Sequence, residues 1–213
     1  MKTVRFFYVR HGQTIFNLTE KAQGWCDSPL TPLGVQQAEE TGQKLKDTCF
    51  DRCYCSDLTR ARETAEYICR YQNCPIIPCK GLREFNFGMK EGELYTHHYE
   101  NGVRIRWSKL DYTDMLGENP EIFDRRIRET LDGLVEETED GDQILLVGHR
   151  GYCTEIMELL FNIDIARYEQ VCRSKGLEPI PNGSVMIFEN TDHKYSLKQL
   201  PGLEDFSINQ LQK

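Results

Sequence analysis

The stretch Val4–Asn17, V-R-F-F-Y-V-R-H-G-Q-T-I-F-N, constrains the chain most. Val4–Val9 is a run of β-branched and aromatic residues broken only by Arg5. Such a run reads as a strand covered on both faces, which points to an α/β protein with a mostly parallel sheet. The run stops at Arg10-His11-Gly12. Gly12 offers a position without a side chain, where the backbone can turn sharply or approach a ligand. The carboxyl end of a buried strand is where open α/β sheets bind ligands. Arg10 is a forked cation suited to phosphate, and His11 can serve as a nucleophile or as an acid–base group. A second stretch repeats the design: Ile144-Leu145-Leu146-Val147 ends in Gly148-His149-Arg150-Gly151.

The rest of the chain bounds what this pair can belong to. A length of 213 residues suits one α/β domain, with an inserted segment at about 93–119. A net charge of −8 argues against a nucleic-acid partner, and an anionic small molecule would need a locally basic pocket. No apolar run approaches the ~20 residues that cross a bilayer, so no membrane partner is expected. Met1-Lys2-Thr3 leads directly into the first strand, so the expectation is a cytoplasmic protein without a signal peptide. The nine cysteines contain no Cys-x-x-Cys pair, and Cys53-Tyr54-Cys55 has no second pair at zinc spacing. Reduced thiols and no metal are expected.

Taken in order, Thr31-Pro32 reads as N-cap and first residue of a helix ending near Lys46, with Gly34, Ala38, Gly42 and Leu45 on one face. Phe50–Cys55 reads as a strand. Ser56 and Asp57 are cap candidates for a helix from Leu58 to Tyr71, whose apolar face omits Arg60 and Arg62. A short strand is expected at Pro75–Cys79, then a loop through Leu82-Arg83-Glu84, Gly88 and Gly92. The stretch 93–119 is irregular, with His97, His98, Arg104, Arg106 and Trp107, and reads as an insertion that is part helix. Pro120–Glu137 is amphipathic through Phe123, Ile127, Leu131, Leu134 and Val135. A helix at Tyr152–Phe161 and two strands, Ser184–Glu189 and Tyr195–Leu200, close the pattern. The final dozen residues are polar enough to be loosely ordered.

If the two histidine-bearing strands are neighbours in one parallel sheet, right-handed crossovers bring their ends together. Two histidines with several arginines suit a phosphate group, each charge-assisted bond contributing on the order of 1.5–3 kcal/mol. Helix starts after Ser56 and after Arg150 would add backbone N–H donors. Surrounding positive charge lowers a histidine pKa toward the neutral, nucleophilic form. A nearby carboxylic acid would protonate the leaving oxygen. Taken alone, Glu84 could be a loop charge paired with Arg83, and Asn17 could cap a turn. Arg62, Arg83 and His193 read as solvated, and the adjacent His97 and His98 face different ways.

Arg10-His11-Gly12-x-Thr14-x-x-Asn17 resembles the signature of the histidine phosphatase superfamily, the phosphoglycerate-mutase-like proteins. The resemblance continues in order along most of the chain. It runs through Gln23-Gly24, Asp27-Ser28-Pro29-Leu30-Thr31-x-x-Gly34 and Ser56-x-Leu58-x-Arg60-Ala61-x-x-Thr64-Ala65. Leu82-Arg83-Glu84 with Gly88, Glu91 and Gly92 follows, then Val147-Gly148-His149 and Asn182-Gly183-Ser184. It implies a three-layer α/β fold with a central mostly parallel sheet flanked by helices. It implies a phosphomonoesterase of the histidine acid phosphatase type, acting on a small phosphorylated metabolite without a cofactor or metal. His11 would become phosphohistidine. Arg10, Arg60 and His149 would hold the phosphoryl oxygens, with Asn17, Gln23 and Gly24 also in the binding site. Glu84 would pass the proton. Such a two-step route answers a barrier that calls for accelerations up to ~10²¹. The alternatives are a phosphoglycerate mutase, or an inactive module that binds a phosphorylated ligand. The family's mutases carry Gly-Leu-Asn-Lys after the acid-bearing loop, and this chain has Gly88-Met89-Lys90-Glu91 there. The chain also departs from the family at Arg150, where Gly is usual. Arg150 either points away and pairs with an acidic surface residue or, the favoured expectation, meets the phosphoryl group or a second anionic group of the substrate. Neither the natural substrate nor the oligomeric state is legible in the sequence.

Overall fold

The computed structural model describes residues 1–95, 98–100, 103–203 and 206–213, with the backbone alone at 98–100 and 103–105. Among the described residues, six strands form one sheet in the order β3-β2-β6-β1-β7-β8. These are β1 (Thr3–Arg10), β2 (Arg52–Ser56), β3 (Ile76–Cys79), β6 (Gln143–Gly148), β7 (Val185–Thr191) and β8 (Lys194–Gln199). β1, β6, β2 and β3 pair in parallel, while β7 runs antiparallel to β1, and β8 to β7. The expected mostly parallel sheet is present, with an antiparallel hairpin at one edge.

β1 is covered on both faces, as its sequence requires. Phe6 and Tyr8 pack into one core with Ile127 and Leu131 of helix α4 (Pro120–Glu136) and Tyr152 and Ile156 of α5 (Arg150–Phe161). Phe7 and Val9 pack into the other core with Ala61, Ala65 and Ile68 of α3 (Thr59–Ile68). Helix α2 (Pro32–Lys44) shares the α3 side. Arg5, the exception in the run, reaches across to Glu189 of β7, Nε to Oε1 at 2.8 Å. Arg10 of β1 is level with Gly148 of β6, so both basic turns begin at the same height.

Several expectations need correction. Ser56 and Asp57 do not cap α3; Leu58 holds the N-cap position, and the first amides of the helix, at Thr59 and Arg60, donate instead to Asp27, which lies before α2. The insertion is not part α-helix among its described residues. It forms a short hairpin, β4 (His98–Glu100) with β5 (Val103–Ile105), and 3₁₀ turns at Trp107–Lys109 and Thr113–Met115. His97 and the side chains of His98 and Arg104 lie outside the described residues. The sequence reading also passed over α6 (Ile165–Ser174). Its buried residues are Ile165, Tyr168 and Cys172, with Val171 half-buried beside them, and its clearest signal is Asp164, whose carboxylate accepts the Arg167 amide at 3.1 Å. The C-terminus is pinned rather than loose: Leu211 is fully buried, and its carbonyl accepts the Asp164 amide at 2.7 Å.

One further helix completes the frame of the site. α1 (Ile15–Leu18) is a single turn closed by a reciprocal cap between Thr14 and Asn17. Its predecessor Gly12 is packed so closely on α2 that an added Cβ would stand 2.2 Å from the Gly34 carbonyl oxygen. Gly34 has the mirror constraint, its Cβ falling 2.0 Å from the Gln13 carbonyl oxygen. These glycines serve chain packing, letting the first basic turn nest on the start of α2. Among the described residues, no helix is long and apolar enough to cross a membrane.

Candidate active site

A cleft of about 910 Å³ opens at the carboxyl ends of β1 and β6. Its walls include Arg10, His11, Asn17, Gln23, Gly24, Arg60, Glu84 and Arg150, so eight of the nine residues singled out in the sequence share one cavity. The ninth, His149, is fully buried and is not part of the wall; its ring centroid lies 5.3 Å from that of His11, at an angle of 64°.

His11 is also buried, and its Nδ1 lies 2.7 Å from the Gly12 carbonyl oxygen. A carbonyl oxygen only accepts, so Nδ1 carries the proton and Nε2 keeps its lone pair. The His11 pKa is held well below its ordinary 6.5, by burial first and then by Arg60 and Arg10, against the Gly12 bond, which raises it. His149 is likewise held well below 6.5, by burial first and then by Arg60, His11, Arg126 and Arg10. Both rings are therefore neutral at pH 7. Neither His149 ring nitrogen has a hydrogen-bond partner among the described residues.

The arginines are clamped from one side. Arg60 is fully buried, and its Nη atoms donate to the carbonyls of Cys26 (2.8 Å) and Gly24 (2.7 Å) and to Asp27 Oδ1 (3.1 Å). Arg10 donates from Nη1 to the Ile180 carbonyl at 2.7 Å. The Nε atoms of both, and Gln23 Oε1, are buried without partners among the described residues. Buried donors are nearly always bonded, so the two unpaired guanidinium Nε–H groups are free to meet an anion, whereas Gln23 Oε1 can only accept. Burial first, and Arg150 second, push Arg10 down to about 10, which leaves it charged at pH 7.

Glu84 occupies the start of α5. Its carboxylate accepts the amides of Gly151 (2.8 Å), Tyr152 (3.0 Å) and Phe85 (2.9 Å). A Cβ on Gly151 would lie 2.5 Å from Glu84 Oε1, so the glycine makes room for this carboxylate. The α5 amides therefore hold a side chain of this chain, where the sequence reading assigned them to phosphate. Arg83 does not pair with Glu84; it forms a two-pronged bond to Asp57, both contacts at 2.7 Å. Asn17 is a cap and a wall residue at once: its side-chain oxygen accepts the Thr14 amide at 3.1 Å and faces Asn182 Nδ2 at 3.4 Å, which in turn donates to the His11 carbonyl at 2.8 Å. Arg62 and His193 are more than half exposed, as expected of solvated side chains.

Three supports escaped the sequence reading. The Tyr8 hydroxyl accepts the His149 amide at 2.7 Å and donates to the His149 carbonyl at 3.0 Å. A Cβ on Gly148 would lie 2.2 Å from that hydroxyl. Arg126 of α4 donates to the carbonyls of Gly81, Arg83 and Glu84 at 2.7–3.0 Å, and to both oxygens of Glu118 at 2.7 and 2.8 Å. Trp25 Nε1 donates to the same Glu84 carbonyl at 2.9 Å. Only Tyr8 left a signal, as the lone hydroxyl in an apolar run. The partners of Asp27, Trp25 and Arg126 are far away in sequence, and no spacing reveals them.

Residues 6–201 match the family model of the histidine phosphatase superfamily, branch 1. An uncharacterised phosphatase, PhoE, from Bacillus subtilis is 33% identical over 143 residues, 66% of this chain and 69% of its own length. The crystal structure of a phosphoglycerate mutase from Bacillus anthracis superposes with a TM-score of 0.73 at 29% identity, covering 92% of each chain. A phosphoserine phosphatase from Entamoeba histolytica, solved with 3-phosphoglyceric acid, superposes with a TM-score of 0.71 at 25% identity, over 93% of this chain and 96% of its own.

Proposed function

The chain belongs to the histidine phosphatase superfamily, and from that premise we propose that it hydrolyses a small phosphomonoester through a phosphohistidine on His11. The observation that carries this reading is the Nδ1–Gly12 bond of His11. It fixes the tautomer that leaves Nε2 as the nucleophile, in a cavity whose wall holds two clamped arginines. Nε2 attacks phosphorus as the ester oxygen leaves, and Glu84 gives that oxygen a proton. Water then attacks the phosphohistidine, Glu84 takes its proton, and phosphate departs. Arg10 and Arg60 supply fixed positive charge to the phosphoryl oxygens, and neutral His149 donates an N–H to one of them.

In this reading the whole chain acts as one domain, with segment 93–119 as an insertion that adds Trp107 and Ser108 to the cleft wall. The protein works in the cytoplasm. Hydrolysis is favoured over mutase chemistry by the Gly88–Glu91 segment. The Glu91 carboxylate accepts the amides of Trp25 (2.7 Å), Cys26 and Phe87 (3.1 Å), so this segment braces the Gln23–Asp27 loop rather than presenting donors to a substrate. Phosphate release should therefore need no bisphosphoglycerate primer. A panel of phosphomonoesters ranked by kcat/KM, with and without primer, tests the reading. Efficient interconversion of phosphoglycerates that depends on primer would reverse it.

A further inference from the structure

Arg150 and Glu178 stand at the mouth of the cleft, and the chemistry above gives neither a task. Arg150 is the first residue of α5, and its side chain is 42% exposed and lines the cavity. Glu178 lies on the connection that follows α6 and is 59% exposed. One of its carboxylate oxygens faces two guanidinium groups, 3.6 Å from Arg10 Nη1 and 3.9 Å from Arg150 Nη1. Both separations are longer than a hydrogen bond, so the carboxylate is attracted without being tied. The backbone that carries it is tied. Ile180, in the left-handed region at φ +48°, accepts from Arg10 at 2.7 Å and donates its amide to the Tyr168 hydroxyl at 3.2 Å. The connection is thus fixed beside Arg10, while the Glu178 side chain sits loosely between two like charges.

We propose that Arg150 and the outer edge of Arg10 form a second anion subsite, in which Glu178 is the resident counter-ion that a second anionic group of the substrate replaces. The substrate class is then a small phosphomonoester carrying a carboxylate or a further phosphate a short span from the transferred phosphoryl group. The inference deepens the phosphomonoesterase reading and rests on it. Its physical basis is the repulsion between Arg10 and Arg150, which any bridging anion relieves. An exposed carboxylate held beyond bonding distance relieves it weakly. A substrate anion delivered by a phosphoryl group already held in the cage arrives at high effective concentration and can close to forked hydrogen bonds on a guanidinium. Glu178 also screens the subsite against free anions, so that occupancy depends on the anchored substrate.

The test compares 4-nitrophenyl phosphate, O-phosphoethanolamine, phosphoglycolate and 3-phosphoglycerate on wild type, Arg150→Gly and Glu178→Gln. The expected result is a preference, read as the ratio of KM values, for the two carboxylate-bearing substrates over the aryl phosphate. Arg150→Gly should lower that preference about fivefold, the range of one exposed charge pair. Glu178→Gln should raise it about threefold. Arg150→Gln keeps a helix-forming residue and repeats the test should glycine loosen the start of α5. An unchanged ratio in both Arg150 variants would overturn the proposal. So would a Glu178→Gln variant that loses affinity for O-phosphoethanolamine and gains none for the carboxylate-bearing substrates, since Glu178 would then serve a substrate cation. Calorimetric binding of 3-phosphoglycerate against inorganic phosphate reads the same ratio without turnover. A shifted binding ratio with no turnover of any ester would defeat the phosphomonoesterase reading and support the subsite; turnover with unshifted ratios would do the reverse.

Discussion

The turns that end β1 and β6 begin level with each other on neighbouring strands, and each carries a buried histidine beside an arginine and a glycine. Their construction differs. At the first, the histidine ring is tied by Nδ1 to the adjacent carbonyl, and Gly12 is pressed against Gly34 and bonded through its amide to Thr64 Oγ1 at 3.0 Å. At the second, the histidine backbone is tied at both its amide and its carbonyl by Tyr8, and neither ring nitrogen has a hydrogen-bond partner among the described residues. The glycine two residues on, Gly151, makes room for Glu84. A fixed ring suits a group that must present one lone pair along one line. A fixed backbone with an unengaged ring suits a group that supplies a hydrogen bond once an anion arrives. In the proposed mechanism one turn delivers the nucleophile, and the other delivers a donor and the seat of the acid.

Exchanging the two histidines for alanine would break this comparison most directly. His11→Ala should lower kcat by at least about a thousandfold, because the covalent step is lost. His149→Ala should cost on the order of 10²–10³-fold, the range for one donor to a developing anion. Steady-state kinetics on a single ester gives both values, and a larger loss at His149 would invert the assignment of the two turns.

The acid seated by the second turn gives the next effect. Glu84→Gln should lower kcat about 10²-fold or more for an alkyl phosphate and clearly less for 4-nitrophenyl phosphate, whose leaving group needs little protonation. The readout is the ratio of losses on the two substrates. Equal losses would make Glu84 only a cap for α5.

Tyr8→Phe sharpens the contrast in stability rather than rate. It removes both bonds to His149 and leaves a buried amide unpaired, at a cost of about 1–3 kcal/mol in urea unfolding. An unchanged midpoint would show that the second turn does not depend on Tyr8.

The smallest effect is in pH. Both histidines have folded-state pKa values held well below 6.5, chiefly by burial. Unfolded chains bind protons at these sites as pH falls below 6.5, and folded chains do not, so stability is fully present above 6.5 and declines as pH falls through that window. Urea midpoints measured from pH 7.5 to 5 should show this decline, and His149→Phe should flatten part of it. An identical decline in the variant would place its origin elsewhere.

Much of the frame was legible because it follows local rules. The apolar run of β1 dictated a two-faced strand, Thr31-Pro32 fixed the start of α2, and the repeated basic turn put two strands side by side. What was not legible depends on partners distant in sequence. Asp27 caps a helix thirty-odd residues away, and Arg126 ties the carbonyls before Glu84 from another layer of the fold. Glu84 is seated by amides of α5, whose start gives no sign of holding an acid. Helix α6 was missed because its apolar face is thin, and the C-terminus because a single buried leucine, Leu211, holds it down.

The central claim is that His11, and not His149, carries the phosphoryl group. The direct measurement is rapid quenching of the enzyme during turnover of a phosphomonoester, followed by mass-spectrometric mapping of the phosphorylated residue under alkaline conditions. The account predicts an acid-labile phosphoryl group on the peptide containing His11, absent from His11→Ala and still formed, more slowly, in His149→Ala. A phosphoryl group found on His149, or full turnover in His11→Ala, would contradict it.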